Sequence, residues 1–426
     1  MTSPHHAPDA GRYPETFWWG VAGAGHQIEG HDTTSDTSFL EQVEPTVFVE
    51  PSGAACRSWE LWEQDLDLVA AMGLGAYRFS VEWARVEPEQ GVVDPAALDR
   101  YDALVDGCLA RGLTPVVTLN HFTSPRWFGA AGGWLATDAP ASFADQCARV
   151  VGRLGDRVPA FVTLNEPNLA ATLLWGGLPP FVVDLQRRTL EAASAAAGVP
   201  RFRAANVVLP EEREAVEDGT ALGHRAARDV VRALAPHARV GLSLAVVDDV
   251  ALDEEGAALR DRKRAECYER WFDLVRDDDF VGVQNYEQIA HDRTGVVHAG
   301  EGSGPVNQMG TPLVPESLGG AVRYVHGATG VPVLVSEHGV ATQDDALRAG
   351  LVEPALASLD AAVRDGVPVL GYFHWTLMDN FEWIFGYRYQ LGLHEVDRVT
   401  GRRTAKPSAA VLARAVARRR ADALVR

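Results

Sequence analysis

A single (β/α)8 barrel is the architecture expected of this chain of 426 residues. Eight short β-rich runs recur along it, and several are almost wholly apolar, such as PVVTL and VPVLV. Parallel strands covered on both faces read that way. Stretches with the apolar spacing of helices separate the runs. No linker-like, low-complexity or long single-charge segment divides the chain. A length worth two or three domains at roughly 150 residues each therefore fits one barrel.

The elements follow in order. The first strand is expected at 17–22, and a long connection runs from 24 to 55. A helix at 59–72 leads to the second strand at 76–80. In the next helix Tyr101, Leu104, Val105 and Cys108 fall at i, i+3, i+4 and i+7, one face, and Gly112 ends it. Strand three is expected at 115–119, a helix at 139–154 and strand four at 160–164. A second long connection spans 167 to about 211, on the face where barrel active sites sit. Helix 221–234, strand 239–245, helix 262–276 and strand 280–286 come next. Helix 315–326, strand 331–336, helix 344–364, strand 368–375 and helix 407–421 complete the count. The last helix carries an Arg-rich edge expected to face solvent, and Asp277–Asp279 reads as a solvated loop. A doubly wound open sheet would need fewer units and a glycine-rich turn opening a helix. Here GVAGAG after the first strand leads into Gln-Ile-Glu-Gly, which reads as non-helical. One catalytic domain is expected over 17–426, preceded by a polar extension over 1–16.

Composition narrows the function classes. Against 58 acidic residues stand 39 basic ones, a net charge of −19. Nucleic-acid binding needs clustered Lys and Arg, so no nucleic-acid partner is expected. An anionic membrane surface or strongly anionic substrate is disfavoured for the same reason. The four cysteines are scattered without metal-ligand spacing, so free thiols and a reducing, cytoplasmic setting are expected. No apolar leader follows Met1 and no run is long enough to span a membrane. No His/Asp/Glu cluster offers a metal site, and neither metal nor cofactor is expected.

Polar residues gather where the strands end. Strand four ends in Asn165, Glu166 and Pro167, and strand seven in Ser336, Glu337, His338 and Gly339. A lone glutamate is normally a surface charge. These two each end an apolar strand at a Pro or Gly turn, on strands expected to face each other across the mouth. Two carboxylates so placed suit the cleavage of a glycosidic bond. Gln27 and Glu29 follow strand one; Arg78, Ser80 and Trp83 lie at strand two. His121 follows strand three, Tyr286 ends strand six and Trp375 ends strand eight, with Glu382 and Trp383 beyond it. Hydroxyls want planar hydrogen-bonding partners, and a pyranose face wants an indole to stack on.

The ordered motifs FWWGVAGAGHQIEG, YRFSVEWARVEP, TLNHFTSPRW, GGW, TLNEP, SEHG, DNFEWIFGY and KPS span residues 17 to 408. In them the chain resembles glycoside hydrolase family 1, the β-glucosidase and β-galactosidase family, as a shortened, actinobacterial-like member. The resemblance implies a retaining β-glycosidase acting on a small-molecule β-glycoside. It implies Glu166 as general acid/base and Glu337 as nucleophile. Gln27, His121, Asn165, Glu382 and Trp383 would bind the non-reducing sugar, over Trp375 as floor. Arg78 and Tyr286 would hold Glu337, Tyr286 also touching substrate. In a retaining enzyme the two carboxyls lie about 5–5.5 Å apart. Glu337 should stay ionised beside a guanidinium and a phenol, and Glu166 should start protonated.

The chain departs from the family at several places. SEHG stands for TENG, placing His338 beside the nucleophile. Gln284-Asn285-Tyr286 stands for Asn-Tyr-Tyr, and Gln390-Leu391 for Arg-Phe, thinning an aromatic wall. Residues 57–62 replace a DHYHRY-like stretch, and the loop after strand four is shortened. The aglycone and the preference among glucoside, galactoside and fucoside therefore stay open, as does a homo-oligomer. Three alternatives stand beside the hydrolase. A 6-phospho-β-glycosidase would lack the Glu382 carboxylate, which repels a 6-phosphate. A transglycosidase would use the same catalytic pair. A non-catalytic sugar-binding barrel would have lost one of the two glutamates.

Overall fold

The computed structural model describes residues 13–298 and 304–424. Eight strands form a closed parallel barrel: β1 Trp18–Ala22, β2 Ala76–Ser80, β3 Thr114–Thr118, β4 Ala160–Asn165, β5 Arg239–Ala245, β6 Phe280–Asn285, β7 Val333–His338 and β8 Val369–Trp375. The ring closes where β1 pairs with both β2 and β8. Every expected strand is present to within two residues. β4 and β7 stand three places apart on the ring, with β5 and β6 between them, rather than facing each other across it.

The outer layer comprises α1 Ser58–Ala71, α2 Pro95–Ala110, α3 Ala139–Leu154, α4 Arg213–Leu234, a broken α5, α6 Ser317–Thr329, α7 Asp345–Arg364 and α8 Pro407–Leu424. α5 opens as Glu254–Arg264, widens through a π-turn over Ala265–Glu269 and continues as Arg270–Val275. α4 begins eight residues before its expected start, because its first turns, REAVEDGT, are too polar to show an apolar stripe. Pro95 at the first position of α2, capped by Asp94, starts that helix as expected of a fixed φ and a missing N–H.

Three further expectations are corrected, and two features absent from the sequence reading are added. Gln27 and Ile28 lie in a one-turn helix, Gly25–Ile28, rather than in non-helical chain. The connection after β4 carries two helices, Leu169–Trp175 and Pro180–Ala197. A three-stranded sheet (Asp248–Ala251, Gln288–Asp292, Gly295–Val297) stands over the mouth beyond β5 and β6. Asp278 is buried against His224 and Arg228 instead of solvated, so this part of the acidic run ties α4 to the base of β6. Arg419 on the last helix is likewise buried, paired with Asp360 and Glu353. Of the expected N-terminal extension, residues 1–12 lie outside the described residues. Tyr13 packs against Phe17 and Trp19 and donates to Asp360 at 2.7 Å.

Two apolar layers hold the barrel. The larger lies between strands and helices. The smaller fills the barrel interior, with Phe280, Phe373 and Trp375 as its large members. Phe280 opens β6 and so closes the floor. Phe373 and Trp375 share a face of β8 and rise toward the mouth. Glycine makes room for these residues: a Cβ on Gly20 would sit 2.7 Å from the Phe373 ring, and one on Gly241 would sit 2.1 Å from the Phe280 carbonyl and 3.0 Å from its ring.

Candidate active site

Glu337 lies at the C-terminal end of β7 and is buried. Its Oε1 accepts from Arg78 Nη1 at 2.7 Å and from Gln284 Nε2 at 2.9 Å. Its Oε2 accepts from the Tyr286 hydroxyl at 2.5 Å. Arg78 reaches it from β2, fixed by Thr118 on β3 at 3.0 Å and by the Ser336 carbonyl at 3.1 Å. Asn165 Oδ1 accepts from Arg78 Nη2 at 2.6 Å and from Gln284 Nε2 at 2.7 Å. That leaves the Asn165 amide N–H groups for a ligand. Strands two, four, six and seven thus meet at one carboxylate.

Glu166 follows Asn165 with φ of 45°, a left-handed backbone that non-glycine residues adopt at a cost of about 1 kcal/mol or more. Phe122 and Trp383, also at the mouth, share this conformation. Non-glycine residues held so cluster at functional sites. Burial, then the negative charge of Glu337, push the Glu166 carboxyl well above its ordinary value. Burial also raises Glu337, but Arg78 and the Tyr286 hydrogen bond pull it back. Glu337 has three donors and Glu166 only the field of Arg78, so the pair titrates with Glu166 as the more basic partner.

Around this pair the remaining residues form a cup. His121 stacks on Trp375 at 5.6 Å and on Trp383 at 6.1 Å, within 15° of parallel. Burial and the Arg78 charge keep His121 neutral. Burial raises Glu382 to about 8, against a hydrogen bond from the Trp375 side chain. Gln27 is fully buried and donates to the Phe381 carbonyl at 2.7 Å. Gln27 Oε1, His121 Nδ1, Glu382 Oε1 and Gln284 Oε1 are all buried without a hydrogen-bond partner among the described residues. Buried polar atoms are rarely left so, and four around one mouth mark it as built for a polar ligand.

The structure thus brings together Gln27, Arg78, His121, Asn165, Glu166, Tyr286, Glu337, Trp375, Glu382 and Trp383. Three residues noted at the strand ends lie elsewhere. Glu29 pairs with Arg85 at 2.6 Å, Ser80 donates to Glu82 at 2.8 Å, and Trp83 is in the outer core. His338 turns away from the site: its Nδ1 meets the Tyr372 hydroxyl at 3.0 Å, and burial lowers it to about 4. Leu391 packs into the interior layer with Trp375, and Gln390 binds through its backbone to Gln308, Thr342 and Arg348.

Two contributors were not singled out as site residues. Gln284 was visible only as a departure, yet it bridges Asn165 and Glu337. His26, beside Gln27, stacks flat on Trp383 at 5.9 Å. Its ring nitrogens meet Asp32 at 3.1 Å and Glu41 at 2.9 Å. Burial would lower its pKa, but those two hydrogen bonds outweigh it and raise it to about 10. No group of three or more His, Cys, Asp or Glu suited to a metal ion occurs among the described residues. Nor, among them, is any helix long and apolar enough to cross a membrane.

Known proteins share this arrangement of the chain. A thermostable β-glucosidase B of Thermobispora bispora is 31% identical, over 93% of this chain and 89% of its own. The apo structure of a β-glucosidase designated 1317 superposes with a TM-score of 0.89 at 38% identity, covering 94% of this chain and 98% of that one. A Thermotoga maritima β-glucosidase solved with glucoimidazole gives 0.80 at 25% identity, over 96% and 99%. The glycosyl hydrolase family 1 profile matches residues 9–207 and 283–420. A match over most of its length, on a barrel of this shape, makes the chain a member of glycosyl hydrolase family 1.

Proposed function

We infer that the protein is a retaining β-glycosidase of β-glucosidase type, releasing terminal non-reducing sugars from small β-glycosides. The whole of 17–426 serves as one catalytic unit. The observation that carries this reading is the unequal treatment of two buried glutamates. One is clamped by three donors, and the other has none.

Glu337 attacks C1 of the sugar while Glu166 gives its proton to the glycosidic oxygen. The C1–O bond breaks, the aglycone leaves as an alcohol or phenol, and an ester joins C1 to Glu337. Esterification removes the negative charge that raises Glu166, so its pKa falls. It then takes a proton from water, which attacks C1 and frees Glu337. The Asn165 amide donates to the sugar 2-hydroxyl, a contact that strengthens as positive charge builds on the ring. Gln27, His121 and Glu382 take other hydroxyls, over the Trp375 ring. No step calls on nucleic acid or membrane, and the four buried free thiols suit a reducing cytoplasm.

A p-nitrophenyl β-glycoside panel of glucoside, galactoside, fucoside, xyloside and 6-phosphoglucoside tests this. Glu337→Ala should abolish turnover, and azide should restore it with an α-glycosyl azide as product. Glu166→Ala should spare activated aryl glycosides relative to alkyl ones, with azide giving the β-product. Retained activity in Glu337→Ala would sink the assignment. Preference for the 6-phosphoglucoside would overturn the neutral-sugar reading, because the Glu382 carboxylate, its Oε1 buried, would repel a 6-phosphate.

A further inference from the structure

Four rings at the cup lie nearly parallel: His26, Trp383, His121 and Trp375. Trp383 is 4° from the plane of His26 and 15° from that of His121, and His121 is 11° from Trp375. Phe122 meets both Trp383 and His121 edge-on at 5.3 Å. Trp375, at one end of this run, belongs to the apolar layer inside the barrel. Trp383 belongs to none of the apolar clusters of the described residues. His121 Nδ1 has no hydrogen-bond partner among them. Stacking and the edge of Phe122 are therefore what hold these two side chains in plane.

The other end of the run is fixed by charge. His26 is buried, with Nδ1 3.1 Å from Asp32 Oδ2 and Nε2 2.9 Å from Glu41 Oε1. Both carboxylates are themselves tied. Asp32 Oδ1 accepts from the Thr34 N–H at 3.2 Å, and Glu41 Oε2 accepts from the Ser52 N–H and hydroxyl, both at 2.9 Å. An ionised carboxylate only accepts, so both ring nitrogens donate and the ring is an imidazolium. Held at both nitrogens, the ring cannot turn. Its centre is 5.9 Å from that of the Trp383 indole, within the roughly 6 Å over which a cation is drawn to an aromatic face. The backbone adds a second tie: the Phe381 N–H donates to the Gln27 carbonyl at 3.3 Å, and the Gln27 side chain donates to the Phe381 carbonyl at 2.7 Å.

We propose that His26 is a positioning residue for sugar recognition: its two ring hydrogen bonds fix the plane of Trp383, and through it that of His121, so that the cup is formed before the sugar enters. The proposal rests on the retaining β-glycosidase reading above. It gives the buried triad a task beyond holding its own segment. Rings that the sugar itself had to order would cost affinity, and rings already in plane do not. Such a contribution is the same in the ground state and the transition state, so it belongs to KM rather than to kcat.

The test uses β-glucosyl fluoride as substrate and glucose as competitive inhibitor. His26→Phe alone would strand two buried carboxylates, so the ring is exchanged together with its partners. In Asp32→Asn/Glu41→Gln/His26→Phe a flat ring stays beside Trp383, but nothing holds its plane. Exchanging a buried ion set for neutral groups often leaves stability intact, which urea unfolding checks. The Ki of glucose and the KM of the fluoride should both rise about tenfold, with kcat changing far less. In Asp32→Asn/Glu41→Gln the imidazole returns, held by neutral amides whose hydrogen bonds are about half as strong. There the rise should be about threefold, a partial rescue. A glucose Ki at the wild-type value in both variants would overturn the proposal and leave His26 to hold its segment alone. A fall in kcat with KM unmoved would overturn it as well. If the triple variant does not fold, the paired variant decides by the same Ki, raised in support or unchanged against. No turnover of the fluoride by the wild-type protein would overturn the glycosidase reading and this proposal together.

Discussion

Gln284 joins the two strands that matter most: one amide donates to Asn165 at 2.7 Å and to Glu337 at 2.9 Å. Hydrogen bonds to charged groups are worth about 1.5–3 kcal/mol, so Gln284→Leu should lower kcat/KM by about tenfold to a hundredfold. Losing a donor to the ionised form also raises the Glu337 pKa. The acidic limb of the kcat/KM profile should therefore move to higher pH in this variant, and a fall in rate with an unmoved limb would refute the contact's role. Glu166 and Glu337 were legible because each terminates an apolar strand at a turn. Gln284 was not, because its side chain acts across β6 on partners 119 and 53 residues away. The same distance kept silent which way His338 turns: only the fold shows Tyr372 waiting on the outer side.

The segment that follows β1 is held by charge rather than by an apolar stripe. His26 sits between Asp32 and Glu41, all three buried, and its ring backs the Trp383 indole. Nothing periodic in residues 26–41 announces those pairs, so the segment read only as a long connection. Its pH behaviour follows from the shifts. His26 is raised to about 10, so its stabilisation is complete below the ordinary imidazole value near 6.5 and is lost as pH rises through about 10. Asp32 is lowered to about 2 by His26 against burial, so its contribution is present above the usual carboxylate range and is lost as pH falls toward 2. Burial raises Asp36 to about 7, so ionising it between about 4 and 7 works the other way. Removing one partner of a buried ion pair costs about 3–5 kcal/mol. His26→Asn should lose stability of that order in urea unfolding at pH 7, and the gap to wild type should narrow above pH 10. A gap that stays constant across that range would show that packing, not the imidazolium, holds the segment.

At the scale of the whole molecule the strand positions were readable because buried parallel strands are written as apolar runs. The small sheet over the mouth was not, because its strands are only 4, 5 and 3 residues long and the first two are polar at half or more of their positions. The net charge of −19 also acts at this scale. A long-range field of that sign repels anions and leaves neutral molecules alone. For a neutral β-glucoside, kcat/KM should change little between low and high salt. An anionic glycoside should gain as salt screens the repulsion, since the screening length falls to about 3 Å at 1 M. A strong salt dependence with the neutral substrate would mean that charge steers binding in a way this site does not require.

Phe280 across the floor of the barrel, with Phe373 above it, has a bearing on traffic. Among the described residues these rings, with Trp375, fill the barrel interior. On the proposed glycosidase reading, sugar, aglycone and water would share the approach from the strand ends, with the sugar deepest along it. The aglycone would have to vacate that passage before the attacking water took its place, and the freed sugar would be the last to go. That order of departure would then rest on two phenylalanines buried from solvent, and on the glycines that give them room.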